Sequence, residues 1–182
     1  MMVCMSIAED FEKQQFPNGY NLADGVALHA VNGDQFQIPH PVLKKHLSVG
    51  QFVELRIVSD RFSAHPDAPE KCTCSSCNGE ASNPVLSHDQ PATLAPLPSQ
   101  DVPSRGWGED FWVQITERDG QTFSGVIDNR LHEARLHERN LGDEILFEAR
   151  HVLAVHPTHR RDLVMSMDED DLKQLVEWLN QQ

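Results

Sequence analysis

Three cysteines, Cys72, Cys74 and Cys77, fall within six residues of one another in the run KCTCSSCNGE at positions 71–80. Cys74 to Gly79 has the C-x-x-C-x-G form of a zinc knuckle. Two thiolates two residues apart can hold one ion, and a glycine after them lets the turn take a positive φ that points backbone N–H groups at sulfur. Cys72 is close enough to serve as a third ligand. The usual second C-x-x-C is missing, so the fourth donor has to be His65, with His88, Cys4 or a carboxylate as alternatives. Three thiolates and one imidazole suit a closed, structural site, and Zn²⁺ matches soft sulfur combined with borderline nitrogen. The expectation is a structural zinc on Cys72, Cys74, Cys77 and His65. Free thiols on a loop are the plain alternative. A thiol- or metal-dependent enzyme built on the same cluster is the other, with Cys77 and a histidine as nucleophile and base. Coordination separates the two uses of a metal: four protein ligands mark a structural ion, three and a water a catalytic one.

Other chemistry is thinner. HEARLHE at 132–138 looks at first like a zinc-protease helix, but His132 and His137 are five apart, about 100° out of line on a helix, where H-E-x-x-H needs four. Alternating charges make that run a solvated loop. Asp128-Asn129 is explained as well by turn formation as by a site. No phosphate-cradling glycine loop and no Ser/His/Asp constellation stands out.

Residues 106–155 carry the clearest scaffold. Phe111, Val113 and Ile115 alternate with Trp112, Gln114 and Thr116, the period of a half-buried strand. Asp119-Gly120 supplies a turn, Thr122–Asp128 a second strand, and Leu141-Gly142-Asp143 another turn before strands at Glu144–Glu148 and His151–Val155. Trp107 and Trp112 read as core. Upstream, Ser6-x-x-Glu9 has capping-box form and opens a helix to about Gln15. Val26–Val31 and Gln35–Ile38 read as a hairpin about Asn32-Gly33-Asp34, and Val42–Leu47 as a helical turn. Phe52–Ser59 is a strand with Val53, Leu55 and Ile57 on one side. At the other end, Ser166-x-x-Glu169 reads as a second capping box. Leu172, Leu175, Val176 and Leu179 follow at helical spacing, a stripe that covers a sheet face, with Trp178 widening it.

The runs FWVQIT (111–116), DGQTFSGVIDN (119–129) and LGDEILF (141–147) resemble the YegJ-like family of uncharacterised bacterial domains. The likeness covers residues 106–156 and rests on strand and turn residues. The longer connection RLHEARLHERN departs from the family's short one. The resemblance implies a bacterial origin and a small β-rich fold, and it brings no catalytic residues.

With 182 residues, 39% hydrophobic and 24% charged, the chain has the composition of a soluble globular protein. A net charge of −13 argues against nucleic acid and anionic membranes, which need clustered Lys and Arg. No run of about 18 apolar residues exists to span a bilayer. The opening MMVCMSIAED lacks the basic and apolar regions of a signal peptide, so the expected location is cytoplasmic. In such a reducing setting four cysteines do not read as a disulfide framework. Gly33 precedes Phe36 by three, as Gly120 precedes Phe123, an echo that suggests duplication. The reading is therefore α+β, mainly antiparallel, with two small SH3-like or OB-like meander units and short flanking helices, one a C-terminal amphipathic helix. Residues 1–64 form the first unit, 65–104 a Cys-containing linker and 105–182 the second. The function that follows is a non-enzymatic interaction module with structural zinc, its partner a protein or small ligand.

Overall fold

The computed structural model describes residues 6–59, 107–132 and 134–181. Cys4, His65, Cys72, Cys74, Cys77 and His88 all lie outside those residues, so the predicted zinc ligands do too.

The strand at Phe52–Ser59 (β2) is the centre of the sheet. Its Val53, Leu55 and Ile57 are fully buried while the residues between them are half-exposed, as strict alternation requires. β2 runs antiparallel to Trp107–Asp119 (β3), from Phe52 opposite Gln114 to Ser59 opposite Trp107. Asp119 turns through Gly120, at φ +60°, into Thr122–Ile127 (β4). A bulge between Ile115 and Glu117 shifts the β3–β4 register. Gly125 sits where any side chain would strike β3, a built Cβ falling 2.4 Å from Val113 Cγ1 and 2.7 Å from the Gln114 carbonyl oxygen. After Gly142, Glu144–Glu148 (β5) pairs with β4. Tyr20–Leu22 (β1) pairs with the C-terminal end of β2, and Ala154–Val155 (β6) with its beginning. The described strands thus form one antiparallel sheet, β1-β2-β3-β4-β5 with β6 beside β2, curled into a half-barrel.

Inside the curl lie Phe111, Val113, Ile115, Phe123, Ile127, Ile145, Phe147 and Leu47, with Phe123 and Phe147 stacked at 5.3 Å. Each such side chain contributes about 1.5–3 kcal/mol by leaving water.

Several expectations give way here. Residues 26–38 are no hairpin: Gly25–Asn32 is a helix (α2), capped by Asp24 accepting from the Ala27 amide, and Gly33–Gln35 is a 3-10 turn. Gly33 ends a helix while Gly120 turns a hairpin, so the echo between them is not one of structure. Trp112 is not core. It shares the outer face with Glu54 and stands edge-on to His156 at 5.2 Å. The predicted strand at His151–Val155 keeps only β6, because Ala149–His151 is a 3-10 turn.

Other parts hold. The capping box at Ser6 and Glu9 opens a short helix, Ile7–Phe11 (α1). Pro41–Lys45 (α3) is the helical turn, and a four-residue helix, Ala134–His137 (α4), interrupts the charged connection. Two helices close the chain, Arg160–Ser166 (α5) and Glu169–Leu179 (α6). Ser166 is the last residue of α5. The cap of α6 is Asp168, which accepts from the Asp171 amide.

Candidate interaction face

The terminal helix splits its apolar residues between two neighbouring stripes. Asp171, Leu175 and Trp178 recur at i, i+4 and i+7 and turn inward; Leu172, Val176 and Leu179 repeat that spacing one residue on. The inward stripe packs on α3 rather than on the sheet. Val42, Met167 and Leu175 form a small separate core there, flanked by Leu43, Leu172 and Trp178. Trp178 also lies over His40 at 5.4 Å. The outward stripe is largely unpacked, with Val176 54% and Leu179 56% exposed.

What turns the helix this way is a carboxylate among its inward residues. Asp171 is buried, and one of its oxygens accepts from Lys45 Nζ at 2.6 Å and from His46 Nε2 at 2.6 Å. The Lys45 hydrogen bond, then that of His46, hold the Asp171 carboxyl below the usual carboxylate range, and Asp171 raises Lys45 in return. A buried carboxylate needs such partners. These three groups therefore decide which stripe faces α3.

Ser166 adds a hydroxyl 3.4 Å from His46 Nδ1, so serine, imidazole and carboxylate stand in line. These are the residue types of an acyl-transfer relay. The Ser166 proton, however, is given to the Leu163 carbonyl at 2.7 Å. Asp168 at the cap and Glu169 and Asp170 in the first turn of α6 add further negative charge, a setting that opposes a developing oxyanion. The cluster works as a clasp.

Around the outward stripe the charge is acidic. Glu169, Leu172, Lys173, Val176 and Glu177 line a shallow recess on the helix. Lys173 is paired with Glu169 at 2.9 Å and lies 3.9 Å from Asp170, one cation among three acids with Glu177. Val164 and Met165 of α5 are exposed as well.

Two further clusters were not foreseen. His137 is fully buried at the end of α4, so it does not belong to a solvated loop. Its Nδ1 accepts from the Arg139 amide, which puts the proton on Nε2, 3.4 Å from Glu109 Oε2. Glu109 also accepts from the His132 amide, while Tyr20 meets the His137 ring edge-on at 5.3 Å. His132 itself is exposed. On the outer sheet face, Phe52, Trp112, His156 and His159 form an aromatic group. The alternation of β2 placed Phe52 there, but the histidines reach it only through the turn at Pro157–His159.

Among the described residues no three His, Cys, Asp or Glu side chains are grouped to hold a metal, and no helix is long and apolar enough to cross a membrane. Comparison with known families, curated proteins and solved structures finds no match for the chain.

Proposed function

We propose that this chain is a non-enzymatic interaction module whose working surface is the outward stripe of α6, and that its partner is a cationic amphipathic segment. The observation that carries this is the exposure of Val176 and Leu179 on a helix whose neighbouring stripe is already satisfied by α3. Exposed apolar residues in a row invite cover, and the excess of Glu169, Asp170 and Glu177 over the one cation Lys173, with the net charge of −13, selects a basic partner over a second copy. The geometry fits helix-in-groove recognition, read as anchors at i, i+4 and i+7. The test is calorimetric titration with a helical peptide of leucine and lysine, about 18 residues long. Val176→Asp with Leu179→Asp should abolish its binding, and a leucine–glutamate peptide should not bind at all. Equal binding to the double variant overturns the reading.

Structural zinc belongs to the same proposal. Its support is the thiol spacing of Cys72, Cys74 and Cys77, with His65 or His88 completing the set. Freshly reduced protein should carry about one zinc per chain, lost in the Cys74→Ser, Cys77→Ser double variant. The two SH3-like or OB-like units expected from the sequence we read instead as one small barrel of that kind, because β2 and β3, one from each expected unit, pair in the same sheet. The likeness of residues 106–156 to the YegJ-like family adds a bacterial origin and no activity. We expect a cytoplasmic protein.

A further inference from the structure

The edge of the sheet at β5 is closed by a side chain that imitates a strand. Asp143 accepts a backbone hydrogen bond from the Ile127 amide and Ala149 donates one to the Gln121 carbonyl, both toward the β4 side. By the alternation of an antiparallel ladder, Ile145 and Phe147 do the same, and the backbone groups of Glu144, Leu146 and Glu148 point away from the sheet. The Gln14 carboxamide meets those of Leu146 on both sides. Its Nε2 donates to the Leu146 carbonyl at 2.7 Å, and its Oε1 accepts from the Leu146 amide at 2.8 Å. A carboxamide offers the same donor and acceptor as a peptide group, so Gln14 occupies the place of one residue of an added strand. The next outward amide, Glu148, donates to His151 Nδ1 at 3.0 Å.

This cover is light. Gln14 follows α1, a helix of five residues with none buried, which lies against β4 and β5. Releasing Leu146 requires the Gln14 side chain, and the short segment that carries it between α1 and Phe16, to swing away. The edge offers Leu146 between Glu144 and Glu148, all three on the outer face. Glu148 is shared with Arg150 at 2.6 Å, whereas Glu144 accepts the neutral Ser124 hydroxyl and has no cation paired with it among the described residues. Two copies pairing edge to edge about Leu146 would set Glu144 opposite Glu148, a like-charge pair that opposes the register.

We infer that the β5 edge is a strand-addition site for an extended peptide carrying an apolar residue between two cationic ones, with Gln14 as its displaceable occupant. The main-chain bonds supply affinity and the flanking cations supply choice. This surface is independent of α6.

The probe is acetyl-Thr-Lys-Thr-Val-Thr-Lys-Thr-amide, which sets valine opposite Leu146 and the lysines opposite Glu144 and Glu148. Its affinity is measured for the full chain and for Gln14→Ala. Losing two competing hydrogen bonds should tighten binding by about tenfold. The same peptide N-methylated at valine should not bind either protein, and exchanging its lysines for glutamates should remove binding as well. Unchanged affinity in a folded Gln14→Ala variant overturns the inference, as does equal binding of the N-methylated peptide. Self-association of Gln14→Ala without peptide would make a second copy the occupant and overturn it too. Val176→Asp with Leu179→Asp should leave this binding intact, which separates its failure from that of the α6 reading.

Discussion

Asp171 and His46, 125 residues apart in the chain, meet at 2.6 Å, and Lys45 shares the same carboxylate oxygen. That junction ties α6 to α3 and leaves its second apolar stripe in solvent. Asp171 is held below its unfolded value, near 3.9 for an aspartate. Its contribution is therefore complete above that value and is lost as pH falls through the lower folded one. Amide hydrogen exchange read on α6 should show this helix loosening ahead of the sheet below about pH 4. Asp171→Asn should loosen it at neutral pH and remove the acid step. An α6 that exchanges no faster in that variant would mean the clasp does not hold it.

Lys44, the neighbour of that clasp residue, is buried and its Nζ has no hydrogen-bond partner among the described residues. Burial pushes its amine down to about 8, partly offset by Asp24. The fold thus disfavours the charged form, and the cost is fully present below the folded value and vanishes above about 10.4. Lys44→Met should raise stability at pH 7 by roughly 2–3 kcal/mol in urea denaturation, and by much less at pH 10.5. A variant that is less stable at pH 7 would show the amine to be satisfied.

His151 is buried under Phe11 and accepts from the Glu148 amide. Burial, then Arg150, lower it to about 4. A lowered histidine stabilises the fold above its unfolded value near 6.5 and withdraws that support as pH falls towards the folded one. Stability should drop by roughly 3 kcal/mol between about pH 6.5 and 4. His151→Asn, which keeps an acceptor near the same place, should flatten that slope. A variant with the same slope would assign the acid loss elsewhere.

How much of this was legible follows from where the apolar residues point. Val53, Leu55, Ile57, Phe111, Val113 and Ile115 alternate because one side of each strand is core, and those strands read off directly. Val26–Val31 misled because Val26 and Val31 are exposed, 51% and 77%. Two β-branched residues in water mimic a strand while a side chain of Asp24 starts a helix. The stripe of α6 was visible as a stripe, but not its division. That depends on Asp171, which as an acid in a first turn looks like a dipole partner until Lys45 and His46 are brought to it. Gln14 gave no signal, since a lone glutamine carries its meaning only beside Leu146.

The pairing of β3 and β4 at Gly125 supplies a packing test. Because a Cβ at position 125 would meet Val113 and a backbone oxygen of Gln114, both fixed in the sheet, Gly125→Ala should cost about 1–3 kcal/mol. Thermal unfolding that leaves the midpoint unchanged would contradict the close approach.

The proposed function requires α6 to present its second stripe to a basic partner. Backbone amide shifts recorded while the leucine–lysine peptide is titrated test this most directly. The shifts should concentrate on residues 169–179 and fade as salt is raised. Shifts spread over the outer sheet face around Phe52 and Trp112, with α6 silent, would contradict it.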